Sequence, residues 1–535
     1  MHAANWHPLT WISHEVDASL FGVNPAGHHA TSVLLHIASA LLLYGLLRAL
    51  PETRGAAPFI AAVFLVHPVR VESVAWVAER KDVLCGLLSL AAIAFWVRWV
   101  RKPGAARYTA ALVCFAAALM AKPMAVTLPL LLLVLDWWPL RRMQGGTPPL
   151  RLLTEKLPFF ALCAVSSVLT VKAQQAGGAL RDLDSITAGS RVANALVSTV
   201  DYLRMTFWPS GLAVFYPHPE GATPGAWAAL AAVLLAALTA GAILLRRSHP
   251  YLLAGWLWFL MGLLPVIGLV QVGAQARADR YLYLPQLGLI VAIALGGAAL
   301  LSRAGAGVLA ARAAAIVVVL ALSLAAVRQV GYWKTSVTLF ERAIAVTGDN
   351  WFATYNLGQA VETAGDRTCA EQLFRETLRI NPKSGAAANS LGGLLIDRGA
   401  PAEAVPILEA ALKIRPRYGA LHNNLGLAYL RMGRETEAIP ILAEASQLIP
   451  DDALVCSNLG VALATVGRLD EARTAFEEGL RRDPQSAEAH YNLGRLFQLL
   501  GKPDLEAQHL REALRLRPGD AEAAERLRVL AAQGL

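Results

Sequence analysis

Glu72, Glu79, Arg80, Lys81 and Asp82 fall between two apolar runs, in the stretch HPVRVESVAWVAERKDVL from His67 to Leu84. Moving a group from a phosphate ester to a hydroxyl needs a base for the hydroxyl and cations for the departing phosphate. Glu72 or Asp82 could supply the carboxylate, and Arg80 and Lys81 the phosphate partners. The competing reading is a solvated headgroup loop anchored by its lysine and arginines. Arg277, Asp279, Arg280, Tyr281 and Tyr283 stand just before another apolar run. They suit an anionic headgroup, or an interfacial aromatic belt with snorkelling arginines. Lys122 interrupts an apolar region before Pro123, and an ionisable residue at such depth marks a functional site unless it caps a helix at the interface. His7, His14, His28, His29, His36 and His67 crowd the same loops, at spacings that match no zinc signature.

The elements that must hold these side chains follow from composition. The chain has 535 residues, 56% hydrophobic and 16% charged, with five cysteines and a mean hydropathy of +0.45. A soluble protein of this size carries about 25% charge, so the apolar excess must lie in lipid. The net charge of +9 hides two unlike halves, +13 up to Lys334 and −4 from Thr335 onward. No arginine–aromatic pattern favours nucleic acid, and without a Cys-x-x-Cys pair a redox or metal motif has little support. A spanning helix needs about 20 apolar residues. Candidates run over 31–50, 83–100, 157–172, 225–245, 251–270, 282–302 and 312–330, with shorter runs at 57–67, 108–121 and 124–138. Together they predict ten crossings. The basic loops around Arg48 and Arg54, Arg98 to Arg107, Arg141 to Lys156, Arg246 and Arg247, and Arg303 to Arg312 would then face the cytoplasm. The charged segments at 67–82 and 271–281 and everything after Lys334 would lie outside. Asp136-Trp137-Trp138-Pro139 reads as an interfacial anchor.

From residue 349 a period of 34 holds without slip. Pro382, Pro416, Pro450, Pro484 and Pro518 end the units. Leu-Gly recurs at 357–358, 391–392, 425–426, 459–460 and 493–494, and alanine at 370, 404, 438 and 472. This is the tetratricopeptide (TPR) pattern of paired helices. The expected organisation is a membrane domain over 1–334, a degenerate half repeat over 335–348, five repeats over 349–518 and a capping helix over 519–535. The fold class is all-α, a polytopic membrane bundle followed by an α-solenoid. Asn356, Asn424, Asn458 and Asn492 recur at one position of the first helix of each pair, with Ser390 completing the series. Such a ladder can hold an extended peptide backbone, or it can bond a neighbouring helix.

The loop text NWHPLTW at 5–11, SHEVDASLFG at 13–22, GHHATSVLLH at 27–36, HPVRVESVAWVAERKDVL at 67–84, Lys122-Pro123 and RADRYLYLP at 277–285 resembles one family, the transmembrane and TPR-containing O-mannosyltransferases, in its bacterial branch. The resemblance covers nearly the whole chain. It implies a GT-C glycosyltransferase fold that moves a sugar, most plausibly mannose, from a polyprenyl phosphate to Ser or Thr of a protein at the outer face of the plasma membrane. Glu72, Asp82 and Asp17 are then the candidate catalytic carboxylates. Arg80, Lys81, Lys122, Arg277, Arg280 and Tyr281 are candidates for the lipid phosphate, and the asparagine ladder for the acceptor peptide. The resemblance also implies an acidic motif, usually paired and serving as base or as ligand to a divalent metal, in a first outer loop after a first span. The chain opens on MHAANWHPLTW, which reads as the middle of that loop, so the span and motif are expected upstream of it. Glu15 and Asp17 do not match the motif. The alternative is a non-catalytic membrane-anchored TPR scaffold, against which ten crossings and charged outer loops weigh. A transporter would place charges midway along its spans, whereas most here lie at the ends.

Overall fold

Proline, which presets the helical φ and lacks an N–H that a first turn leaves unused, opens several helices of the first half. The computed structural model describes residues 6–176, 187–218, 225–269, 273–305 and 307–533. Helix α1 (Pro8–Phe21) and α2 (Pro25–Ala49) both begin this way. Helix α3 (Ala57–Val66) stops at His67, because Pro68 starts a 3-10 turn that leads into α4 (Val71–Ala75). The chain bends by 50° at that break. After a further 3-10 turn, Val77–Glu79, come α5 (Arg80–Arg101) and α6 (Ala105–Ala121). Helix α6 ends at Lys122, where Pro123 stops its continuation into α7 (Leu128–Trp137).

Helices α8 (Pro149–Thr154), α9 (Leu157–Ala176), α10 (Ala188–Phe207), α11 (Gly225–Leu244), α12 (Pro250–Leu263), α13 (Gln286–Arg303), α14 (Val308–Tyr332) and α15 (Ser336–Thr347) complete this unit. Two short strands, β1 (Tyr216–Pro217) and β2 (Gln275–Arg277), pair antiparallel with Tyr216 opposite Arg277. Helix α5 packs against α2 and α6, and α12 against α13. That last contact depends on Gly255 and Gly288, since a Cβ on either would stand 2.3–2.4 Å from the other's carbonyl oxygen. Small residues allow the same close approach in membrane bundles generally. At the far end of α5, buried Asp136 accepts a hydrogen bond from Trp96 Nε1 (3.1 Å) and pairs with Lys156 and Arg142. The Asp-Trp-Trp-Pro stretch is therefore a buried electrostatic tie between α5, α7 and the start of α9.

Among the described residues, six helices are long and apolar enough to cross a membrane, or seven if the bent pair at His67 counts as one span. The other expected crossings are shorter apolar helices, Ala105–Ala121, Pro123–Trp137 and Pro250–Leu263. Proline explains two of these differences. Pro123 divides the region 108–138, and α12 ends just before Pro265, short of the run expected over 251–270. Residues 270–272, the start of the expected outer segment 271–281, lie outside the described residues, as do residues 1–5. Helix α14 exposes Ile316, Val317, Leu320 and Val327, an apolar surface that suits hydrocarbon and not water.

The chain divides into two compact units, Met1–Gly348 and Asp349–Leu535. The second is built from the helix pairs α16 (Trp351–Thr363) and α17 (Arg367–Ile380), α18 (Gly385–Asp397) and α19 (Pro401–Ile414), α20 (Gly419–Arg431) and α21 (Glu435–Leu448), α22 (Ala453–Thr465) and α23 (Leu469–Arg482), and α24 (Ala487–Leu499) and α25 (Pro503–Leu516), followed by α26 (Ala521–Ala532). Within each pair the recurrent glycine faces the recurrent large residue. An added Cβ would stand 2.6 Å from Phe374 at Gly358 and 2.4 Å from Leu442 at Gly426. The repeated alanines at 370, 404, 438 and 472 are fully buried.

Candidate functional site

Helix α4, the 3-10 turn Val77–Glu79, the first turn of α5, the end of α6 and the turn at 279–282 bring six charges together. Glu72 Oε2 accepts the Arg280 backbone N–H at 2.7 Å, and its other oxygen pairs with the Arg280 guanidinium. Asp82 pairs with the Lys122 ammonium and accepts the Ser73 hydroxyl at 3.3 Å. Glu79 lies among three cations, with Lys81 Nζ at 3.1 Å, Arg280 Nε at 3.4 Å and Lys122 Nζ at 3.8 Å. Glu72, Glu79, Asp82, Lys122 and Arg280 are all buried. Burial works against the Arg280 charge, but Glu72 and Glu79 outweigh it, so the guanidinium holds its proton more firmly than an ordinary arginine.

A cavity of about 400 Å³ opens beside this network. Its lining carries Glu79, Lys81, Lys122, Arg280 and Tyr281. Helix α9 adds Ser167, Thr170, Val171 and Gln174, and Met124, Val126, Pro265 and Val266 add apolar surface. Tyr281 lies 5.8 Å from the Lys122 ammonium and 5.2 Å from the Arg280 guanidinium, and its hydroxyl takes a hydrogen bond from Gln275. His7 also lines the cavity, and its Nδ1 has no hydrogen-bond partner. Burial, with Lys81 and Lys122 nearby, pushes the His7 imidazole down to about 4. Asp82 borders a smaller void that shares Lys122 and Arg280. The lining is amphipathic: charges and a phenol share it with Met124, Val126, Val171, Pro265 and Val266.

Lys81, Lys122, Arg280 and Tyr281 therefore meet in one place, and Glu72 and Asp82 stand directly behind them. Arg80, Asp17 and Arg277 do not line the cavity. Arg80 is fully buried, with Nη2 2.5 Å from Asp17 Oδ2 and further bonds to the carbonyls of Ser13 (3.1 Å) and His28 (2.9 Å). Asp17 also accepts the Thr31 hydroxyl at 2.9 Å. This pair ties α1 and α2 to α5 and leaves neither partner for a ligand. Arg277 pairs with Asp201 at 3.0 Å and covers the Tyr216 ring. Nearby, burial and the Glu72 charge push the Asp279 carboxyl well above the usual range, while Tyr216 donates to it at 2.7 Å. Sequence reasoning gave no role to Glu79 or Gln275. The signal for Glu79 was its place in the charged block beside Lys81, but its other two partners, Lys122 and Arg280, come from far away in the chain.

No group of three or more His, Cys, Asp or Glu among the described residues could hold a metal ion. The cavity's carboxylates already carry ammonium and guanidinium partners, a donor set that does not fit a divalent cation. In the second unit, Asn424 Nδ2 donates to Asn389 Oδ1 (3.0 Å) and Asn458 Nδ2 to Asn423 Oδ1 (2.9 Å). Asn356 donates to Phe352 O on its own helix at 2.7 Å, and Asn492 is half-buried. The side-chain amides of Asn356, Asn424 and Asn458 thus bond within the solenoid itself.

Two tetratricopeptide repeat models match, one over residues 320–385 and 458–521 and the other over 395–457. The protein O-mannosyl-transferase TMTC1 of Mus musculus is 37% identical over 95 residues, 18% of this chain and 10% of that protein. The protein O-mannosyl-transferase Tmtc2 of Drosophila melanogaster is 31% identical over 140 residues, 25% of this chain and 15% of that protein. Among solved structures, YrrB, a TPR protein with an unusual peptide-binding site, matches 37% of this chain and 98% of its own at 23% identity and a TM-score of 0.30. TTC0263, a thermophilic TPR protein of Thermus thermophilus, matches 34% of this chain and 100% of its own at 21% identity and a TM-score of 0.31. The chain carries a C-terminal tetratricopeptide solenoid, and its similarity to these transferases extends over a quarter of its length or less.

Proposed function

We propose that the protein is a membrane glycosyltransferase that moves a hexose, mannose first among them, from a polyprenyl phosphate to Ser or Thr of a protein held by the TPR solenoid. The observation that carries this reading is the amphipathic cavity, in which Lys81, Lys122 and Arg280 share the lining with the apolar side chains of Met124, Val126, Val171, Pro265 and Val266. A lipid-linked sugar phosphate has the same division, an anionic head on an apolar chain. The partial similarity to the O-mannosyl-transferases points the same way. In this role the three cations hold the phosphate as charge gathers on it, and Glu79 faces the acceptor hydroxyl.

Position along α5 supports an outer-face site. Its 22 residues span about 33 Å at 1.5 Å per residue, so the cavity at Lys81 and the basic loop beginning at Arg101 would belong to opposite membrane faces. Since basic loops stay cytoplasmic, the cavity would face outward, and an outward solenoid rests on the count of crossings alone. A cysteine placed at Gln533 should then react with an impermeant thiol reagent on intact cells.

The second reading, a non-catalytic TPR scaffold, is favoured by the complete pairing of the six charges, which leaves no surplus cation for a phosphate. Transfer of labelled mannose from polyprenyl phosphate mannose to a Ser/Thr peptide, in liposomes, separates the two. Lys122→Gln should lower the rate by about 10²–10³-fold. No transfer by a folded wild-type protein that still binds peptide supports the scaffold.

A further inference from the structure

The six charges balance, yet their three carboxylates are held in different ways. Glu72 is fixed by a backbone N–H (2.7 Å) as well as by a guanidinium. Asp82 is fixed by the Ser73 hydroxyl (3.3 Å) as well as by an ammonium. Glu79 rests on cations alone, at 3.1, 3.4 and 3.8 Å, and its buried Oε2 accepts no hydrogen bond. Glu79 is also the carboxylate on the cavity lining, whereas Glu72 stands behind it. The three cations come from three separate segments, α5, the end of α6 and the 279–282 turn, and converge on a single anion.

We propose that Glu79 is a placeholder anion, occupying the seat formed by Lys81, Lys122 and Arg280 until the phosphate of a lipid-linked sugar displaces it. The inference rests on the donor reading above and deepens it. A sugar phosphodiester carries one negative charge, so it replaces the Glu79 carboxylate one for one and leaves the buried charge balance unchanged. A phosphate monoester, with close to two charges near neutral pH, does not. Glu72 and Asp82 stay in place during the exchange and keep Arg280 and Lys122 aimed at the seat. The released Glu79 carboxylate is then free to accept a hydrogen bond from the acceptor hydroxyl, so donor binding itself readies the base. An empty seat would leave three cations, two of them buried, facing only two carboxylates, which is costly, and the placeholder removes that cost in the resting protein.

The test is equilibrium binding of polyprenyl phosphate mannose, with dimethyl phosphate and inorganic phosphate as headgroup probes, to the full chain in lipid nanodiscs. Glu79→Gln removes the competing anion while keeping the side-chain volume. It should bind the lipid donor and dimethyl phosphate at least tenfold more tightly than the wild type, while Lys122→Gln loses binding. Inorganic phosphate should gain less. A role for Glu79 in folding alone would not tighten binding. Unchanged or weaker binding by folded Glu79→Gln, with Lys122→Gln still defective, overturns the exchange and leaves the donor site standing. No binding of the lipid donor by any form overturns both. Should Glu79→Gln fail to fold, infrared difference spectra of the wild type labelled with ¹³C-glutamate decide. The donor must shift a labelled carboxylate band, and a spectrum without that shift overturns the exchange.

Discussion

Arg80 Nη2 and Asp17 Oδ2 are 2.5 Å apart, and the arginine is wholly shielded from solvent. The most polar stretch of the loop sequence thus splits between two jobs, for Arg80 knits α5 to α1 and α2 while its neighbour Lys81 lines the cavity. Breaking one partner of a buried pair costs about 3–5 kcal/mol because the other is left uncompensated. Asp17→Asn and Arg80→Ala should therefore lower thermal stability in detergent by that order. Loss of donor binding without loss of stability in Arg80→Ala would place its charge in the cavity instead.

Lys122 and Asp82 allow folding and binding to be separated. Lys122→Met strands Asp82 in a buried site and should destabilise by about 3–5 kcal/mol. The double variant Asp82→Asn, Lys122→Met removes both charges and should regain most of that loss. Donor binding should stay poor in both, as measured side by side with chemical unfolding.

His7 gives the cavity a pH signature. Its folded value of about 4 lies below the ordinary 6.5, so the unfolded chain binds more protons between those limits. Stability then rises with pH across that window, and it is lost as pH falls from about 6.5 towards 4. Melting temperatures taken at pH 7 and pH 5 should fall less in His7→Gln than in the wild type. Equal falls would show that His7 carries no such linkage.

In the solenoid, Gly426 touches Leu442 so closely that an added Cβ would stand 2.4 Å from it. Gly426→Val should cost about 1–3 kcal/mol through overpacking. Hydrogen exchange in the full chain should speed up in α20 and α21, with the first unit unaffected.

The solenoid was legible because each unit repeats the same contact. Phe374, Leu408, Leu442, Phe476 and Leu510 meet Gly358, Gly392, Gly426, Gly460 and Gly494 in turn, so packing leaves a period in the text. The cavity leaves none. Lys81, Lys122, Arg280 and Tyr281 were all visible as charges or phenols at the ends of apolar runs. Adjacent residues on a helix point about 100° apart, however, and composition does not fix the phase that turns Arg80 towards Asp17 and Lys81 towards the cavity. Glu79 was harder still to read, because its partners Lys122 and Arg280 come from distant segments. The span count differed where α12 stops short of Pro265, inside a run that hydropathy alone joins, and where the short runs at 108–121 and 124–138 form helices below spanning length.

The claim that a lipid phosphate occupies the cavity between Lys122 and α9 is tested most directly by photo-crosslinking. A polyprenyl phosphate carrying a diazirine in its first isoprene units would be bound to the protein in nanodiscs, irradiated and mapped by mass spectrometry. The expected labels fall on Val126, Val171 and Val266, which line the cavity, and they should be lost in Lys122→Gln. Labels confined to the lipid-exposed faces of α11 and α14, and unaffected by Lys122→Gln, would contradict the account.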